Sequence, residues 1–281
     1  MSSILTNNSA MVALQTLKSI NGDLAKTQSM ISTGKEVGTA KDNSAIWAIS
    51  KVMESDVAGF KAISDSLALG ESTVAVASAG AEQIVETLKE MKQLAVSAQS
   101  ENVDFTKIQA DMDEKVAQVA SVISASQFNG ANLLATDVDG AGGTSVSVLS
   151  SLDRVGTAAP TPALITVNSV DFEANIDLAT NLTAITDTTT AATALGELEA
   201  FLTTAIDGAA ALGASAKRIA DQGEFISKLT DAMKSGIGSM VDADMEEASA
   251  KLQALQVQQQ LGVQSLSIAN QAPQTILSLF R

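Results

Sequence analysis

The sequence predicts a mainly α-helical protein. Long heptad coiled-coil helices from both chain ends form a rod, and a small β-hairpin region sits in the middle. Three observations predict this. Aromatic residues make up 3% of 281 residues, with no Tyr and one Trp, so thin helix-on-helix packing fits better than a thick globular core. Heptad spacing recurs in both halves of the chain. From Leu252 to Phe280 there is no charged side chain.

The elements follow in order. Near the N-terminus Leu17, Leu24 and Ile31 recur at seven, with Ala13, Leu14 and Ile20 beside them. Residues 34–39 read as a spoke to the next helix. That helix spans about 44 to 99, roughly 84 Å at 1.5 Å per residue. One position of its repeat reads Ile46, Met53, Phe60, Leu67, Val74, Ala81, Leu88, Ala95. The companion reads Ile49, Asp56, Ile63, Gly70, Ala77, Ile84, Met91, Ala98. Asp56 and Gly70 break the seam. A polar turn at 100–104 precedes a helix carrying Phe105, Ile108, Met112, Val116, Val119 and Ile123, with its stop signal at Asn129-Gly130.

The middle, about 137–185, changes character. Val146, Val148, the run Leu164 to Val167, Val170 and Phe172 alternate or cluster as strands do. The heptad then returns through Leu195, Leu198, Leu202, Ala205, Leu212 and Ile219 to Ile226. Gly236 and Gly238 loosen it. It resumes through Val241, Ala248, Leu252, Leu255, Gln259, Gly262, Leu266 and Ala269, and Pro273 is expected to close the last helix.

The final stretch is helical in pattern but no membrane span, because nine Gln and Asn residues interrupt it. An uncharged, amide-rich helix repels no neighbour and offers many hydrogen bonds. It reads as a surface to be buried against other copies of protein. Terminal helices this poor in aromatics are expected to be mobile in the monomer and to fold on assembly.

Composition excludes much chemistry. The chain has no His and no Cys, hence no imidazole base, thiol nucleophile or soft metal site. The net charge of −15 argues against nucleic acid or an anionic membrane as partner. Residues 2–10 are polar, with neither a basic nor an apolar signal region. The expectation is either a cytoplasmic protein or export without a cleaved signal. Asp242, Asp244, Glu246 and Glu247 could in principle hold a divalent cation. They lack the glycine and distant glutamate of a calcium loop, and an acidic first turn favoured by the helix dipole is the preferred reading. Asp137, Asp139 and Gly140 read the same way. Gln258, Gln259 and Gln260 read as a hydrogen-bonding rail between subunits. No catalytic, cofactor or metal residue is expected.

The ends carry a family resemblance. Leu14 to Leu17, Ile31-Ser32-Thr33-Gly34, Ala40-Lys41-Asp42-Asn43-Ser44-Ala45, Leu94-Ala95-Val96 and Ser126-Gln127-Phe128-Asn129-Gly130 stand in order in the first half. Asp242-Ala243-Asp244, Gln259-Gln260-Leu261-Gly262, Ala269 to Gln274 and Leu277 to Arg281 close the second. Together they resemble bacterial flagellins over about 1–137 and 186–281, in an alphaproteobacterial style with a short variable region. The resemblance implies a secreted subunit that self-assembles into the helical flagellar filament used for swimming. The alternative is a hook–filament junction protein with similar terminal helices.

It implies further partners: the export apparatus, an export chaperone, and the hook-junction and cap proteins. It places an inner terminal-helix domain at 1–40 and 237–281 and a rod domain at 41–236. The assembly seam is expected at Leu17, Leu24, Ile31, Leu255, Gln259, Leu266 and Leu279. Some flagellins are sensed by an animal innate receptor through the region of Leu94, where a basic residue helps. This chain has Glu90 there, so weak or absent recognition is expected.

Overall fold

The helices nearest the two ends of the chain pair with each other. A computed structural model describes residues 7–154 and 160–279, the last eight as backbone. Its elements are α1 (Asn8–Thr33), α2 (Ser44–Ser97), α3 (Phe105–Ala125), β1 (Ser145–Asp153), β2 (Thr161–Asn168), α4 (Phe172–Asn175), α5 (Leu178–Asn181), α6 (Thr188–Val241) and α7 (Met245–Leu279). The contacts divide the chain into two units: Met1–Val57 with Ala232–Arg281, and Ala58–Asp231. Helices α2 and α6 contribute to both.

In the terminal unit, α1 lies along α7. Asn7 caps α1, its Oδ1 accepting from the amide of Ala10 at 3.1 Å. Gly34 ends the helix with φ +69°, a left-handed conformation that glycine adopts without a Cβ penalty. The connecting segment then pairs with the junction between α6 and α7. Glu36 N–H donates to Val241 O at 2.7 Å and Ala243 N–H to Gly34 O at 3.0 Å. Asp244 caps α7 through the amides of Glu246 and Glu247, so the acidic cluster there is a helix start. Among the described residues, no group of three or more carboxylates is placed to hold a metal.

In the other unit the predicted seam of α2 is the core. Phe60, Ile63, Leu67, Val74, Ala77, Ala81, Ile84, Leu88, Met91, Ala95 and Ala98 are all buried. Leu198, Leu202, Ala205, Leu212, Ile219 and Ile226 of α6 are buried as well. Strands β1 and β2 form one antiparallel hairpin with Val148 opposite Ile165 and Ser150 bulged out of register. The bulge disrupts the ladder locally, and helix side chains meet the backbone there. Leu149 N–H donates to Ser66 Oγ of α2 at 3.3 Å, and Gln222 Nε2 of α6 donates to Ser150 O at 2.9 Å.

Several local expectations are corrected. Gly70 does not break the seam. A Cβ there would stand 2.5 Å from Val148 Cγ2, so the missing side chain admits the hairpin. Asn129 and Gly130 do not end α3, which stops at Ala125. They have φ of 51° and 84° and form a two-residue turn closed by Phe128 and Ala131. Val170 and Phe172 lie beyond β2, and Phe172 opens α4 under the αL cap Asp171. Gly236 and Gly238 do not interrupt α6, because glycine's helix cost is only about 1 kcal/mol and packing overrides it. Pro273 does not close α7, which runs on to Leu279.

Candidate assembly surface

The predicted seam residues fall on the facing sides of α1 and α7. Leu17, Leu24 and Ile31 are half-buried on α1. Leu255 is buried, with 7% exposure, and Gln259 and Leu266 are half-buried on α7. Their 3.5-residue average spacing keeps one face of each helix toward the other. Gly262 lets α1 come close, since a Cβ there would lie 3.2 Å from Leu17 Cδ1. Gln259 Nε2 donates to Asn21 Oδ1 at 2.7 Å, so this glutamine bonds across the helix pair within one chain. The side chain of Leu279 lies outside the described residues.

Ion pairs and carboxylates flank this pairing. Glu54 bonds Lys51 and lies 3.7 Å from Lys35. The Lys51 ammonium holds its carboxyl below the usual range. The backbone amide and hydroxyl of Thr39 do the same for Asp42.

The receptor-motif residues belong to the other unit. Glu90 is exposed and pairs with Lys115 of α3, while Leu94 is half-buried on α2.

Sequence reasoning did not separate an outward apolar set from the seam, and it placed Leu14 beside the seam although that residue is exposed. Met11, Val12 and Leu14 on α1, and Val257, Leu261, Val263 and Ile268 on α7, are exposed although large and apolar. A signal was available: α7 carries a second 3–4 spacing, Ala250, Ala254, Val257, Leu261, Gln264, Ile268. Among the described residues, no helix is long and apolar enough to cross a membrane.

Helices from opposite chain ends, paired along a nearly uncharged seam and leaving further apolar side chains outward, define a structural subunit built for self-association. The comparisons specify which. The model of the bacterial flagellin N-terminal helical region matches residues 4–138. The model of the C-terminal helical region matches residues 198–280. A flagellin of Brucella melitensis is 42% identical over 287 aligned residues, covering all of both chains. Flagellin FljM of Caulobacter vibrioides is 39% identical, over all of this chain and 99% of the relative. A crystal structure of Bacillus cereus flagellin covers 56% of this chain and 86% of that one, at 17% identity and a TM-score of 0.49.

The chain belongs to the bacterial flagellin family. It is a structural subunit of the flagellar filament and not an enzyme. Its place is the extracellular filament. The relatives at 42% and 39% identity are named as flagellins, which favours the filament subunit over the hook–filament junction protein.

Proposed function

We propose that the α1–α7 pair forms the inner wall of the filament and that the terminal segments 1–40 and 237–281 act as its inner domain. Residues 41–236 form the rod outside it. Leu17, Leu24, Ile31, Leu255, Gln259, Leu266 and Leu279 hold the inner layer together. The observation that carries this reading is the uncharged stretch from Leu252 to Phe280 in a chain of net charge −15, on a helix that pairs with α1. Close approach of many such chains requires faces without like charge. A heterologous, non-closing contact then generates a helix of subunits rather than a ring.

The protein is exported unfolded through the filament channel with the help of the export apparatus and a chaperone. It joins beyond the hook-junction proteins under a cap, and its terminal helices order as it joins. Purified protein seeded with short filament fragments and viewed by negative-stain electron microscopy tests this. Long filaments of uniform width are expected. Soluble monomer or short stubs with intact helical circular dichroism would return the junction reading.

The region of Glu90 and Leu94 is a poor target for the animal innate receptor that senses some flagellins. Glu90 presents a carboxylate where a cation helps, and Lys115 is engaged with it. Purified protein is expected to give little or no response in receptor-reporter cells, and a robust response would refute the assignment.

A further inference from the structure

The C-terminal half of α3 forms one wall of a cavity of about 480 Å³. That volume falls in the range of small-molecule sites, roughly 300–1,000 Å³. The turn at 127–132, the loop at 135–140 and the junction of α4 with α5 supply the other walls, all within the Ala58–Asp231 unit. The floor is apolar. Val119, Ile123, Val138, Ile176 and Leu178 line it and are buried. The rim is acidic. Asp137 and Glu173 on it are exposed, and Asp177 is half-buried.

Hydrogen bonds hold these walls in place before any ligand arrives. Asn132 Nδ2 donates to Ile123 O at 2.7 Å, and the Asn132 amide donates to Val138 O at 2.9 Å, which ties the loop to α3. Thr136 N–H donates to Glu173 Oε2 at 3.1 Å. Gly142 N–H donates to Asp137 Oδ1 at 2.9 Å, and Thr180 N–H to Asp177 Oδ1 at 3.2 Å. Each carboxylate is therefore fixed through one oxygen. Three negative charges stand round one apolar cavity, and a ligand that meets them has little left to order.

We propose that this cavity binds a small organic cation with an apolar body. Its ammonium or guanidinium head lies among Asp137, Glu173 and Asp177, and its hydrocarbon lies on the floor of Val119, Ile123 and Ile176. The lining selects that chemistry. Among the described residues, no Lys, Arg or aromatic side chain lines the cavity. An anion therefore finds no partner there, and a cation is met by carboxylates rather than by a ring. Among the described residues, no three carboxylates converge closely enough to hold one metal ion. Charge spread round a rim suits instead a head that donates several hydrogen bonds. The net charge of −15 raises the local concentration of any cation. The buried aliphatic floor then favours one whose hydrocarbon gains by leaving water over inorganic ions.

Octylammonium chloride is the probe, with 1-octanol and octanoate as the neutral and anionic forms of the same chain. Methyl NMR of the full-length protein as dilute monomer reads binding at Val119, Ile123, Val138 and Ile176. Salt at about 0.15 M screens non-specific attraction. Octylammonium is expected to shift these methyls saturably and to bind about tenfold more tightly than octanol. Octanoate should leave them unmoved. Glu173→Gln and Asp177→Asn keep acceptors for the Thr136 and Thr180 amides and remove the charges. The double variant should lose about tenfold in octylammonium affinity and bind octanol as before. Octylammonium that leaves the cavity methyls unmoved, or shifts methyls throughout the chain without preference for them, would overturn the proposal. So would equal binding of amine and alcohol in the natural chain, a comparison that stands even where the double variant folds poorly. All these readings are taken on the monomer, so none of them bears on the filament reading.

Discussion

The side-chain amide of Asn7 donates to the carbonyl of Ala269 at 2.7 Å. The contact joins residues 262 positions apart, and its cause is four residues further on. In an α-helix the N–H of residue 273 would bond the carbonyl of residue 269. Pro273 has no N–H, so α7 leaves that acceptor open, and Asn7 Nδ2 takes it. The same side chain caps α1 through Oδ1. One asparagine therefore satisfies an orphan donor of one helix and an orphan acceptor of the other.

Substitution at Asn7 separates the two roles. Asn7→Asp keeps the capping oxygen and loses the donor to Ala269. Asn7→Ala loses both and is expected to cost about 1–2 kcal/mol, mostly from the cap. In a Pro273→Ala background the helix supplies its own N–H at position 273, so Asn7→Asp should cost less than in the natural chain. Thermal dissociation of filaments, read as a double-mutant cycle, checks this. Equal penalties in both backgrounds would show that the proline gap is not what Asn7 serves.

Leu255 tests the helix pair from inside. It is buried on α7, the helix that pairs with α1, and a carboxylate there would be taken out of water. Burial of an unpaired charge is costly enough to separate the helices or force the acid to protonate. Leu255→Asp is expected to abolish polymerisation while the Ala58–Asp231 unit keeps its helical circular dichroism and cooperative melt. Normal filaments from this variant would sink the inner-wall assignment.

The legible parts of this fold are the periodic ones. Phe60 to Ala98 and Leu198 to Ile226 announce their buried faces at helical spacing, and both faces are buried. What the sequence hid depends on neighbours distant in the chain. Gly70 looks like a gap in a heptad until Val148 occupies it. Pro273 looks like a stop until Asn7 answers its missing hydrogen bond. The outward stripe of Val257, Leu261 and Ile268 was visible as spacing. Two overlapping heptads share one helix, however, and only the contact with α1 tells which is already partnered.

Acid should open the loop before β1. Asp139 accepts the amides of Ala141 and Gly143 at 3.0 and 2.9 Å, and these bonds hold its carboxyl below the ordinary value of 3.8. Ionised in the fold more readily than in the unfolded chain, it contributes stability that is fully present above 3.8. That contribution is lost as pH falls through the lower folded value. Following the Gly143 amide by NMR should give a titration midpoint below 3.8. Asp139→Asn should remove that titration. A midpoint at or above 3.8 would show that the carboxylate is not held by the loop.

Glycines on α6 make opposite predictions for the same substitution. A Cβ on Gly208 would stand 2.4 Å from Cε1 of Phe172, whose ring is fully buried. The ring cannot retreat without disturbing the core under α4. Gly208→Ala should therefore lose about 1–3 kcal/mol by overpacking, more than the roughly 1 kcal/mol that alanine gains in a helix. Gly213, five residues on, has nothing within 4 Å of its would-be Cβ. Gly213→Ala should raise stability by up to about 1 kcal/mol. Thermal melts of the two variants, monitored at 222 nm as the helix signal, should move in opposite directions. A Gly208→Ala variant as stable as Gly213→Ala would mean that the Phe172 contact does not limit that helix face.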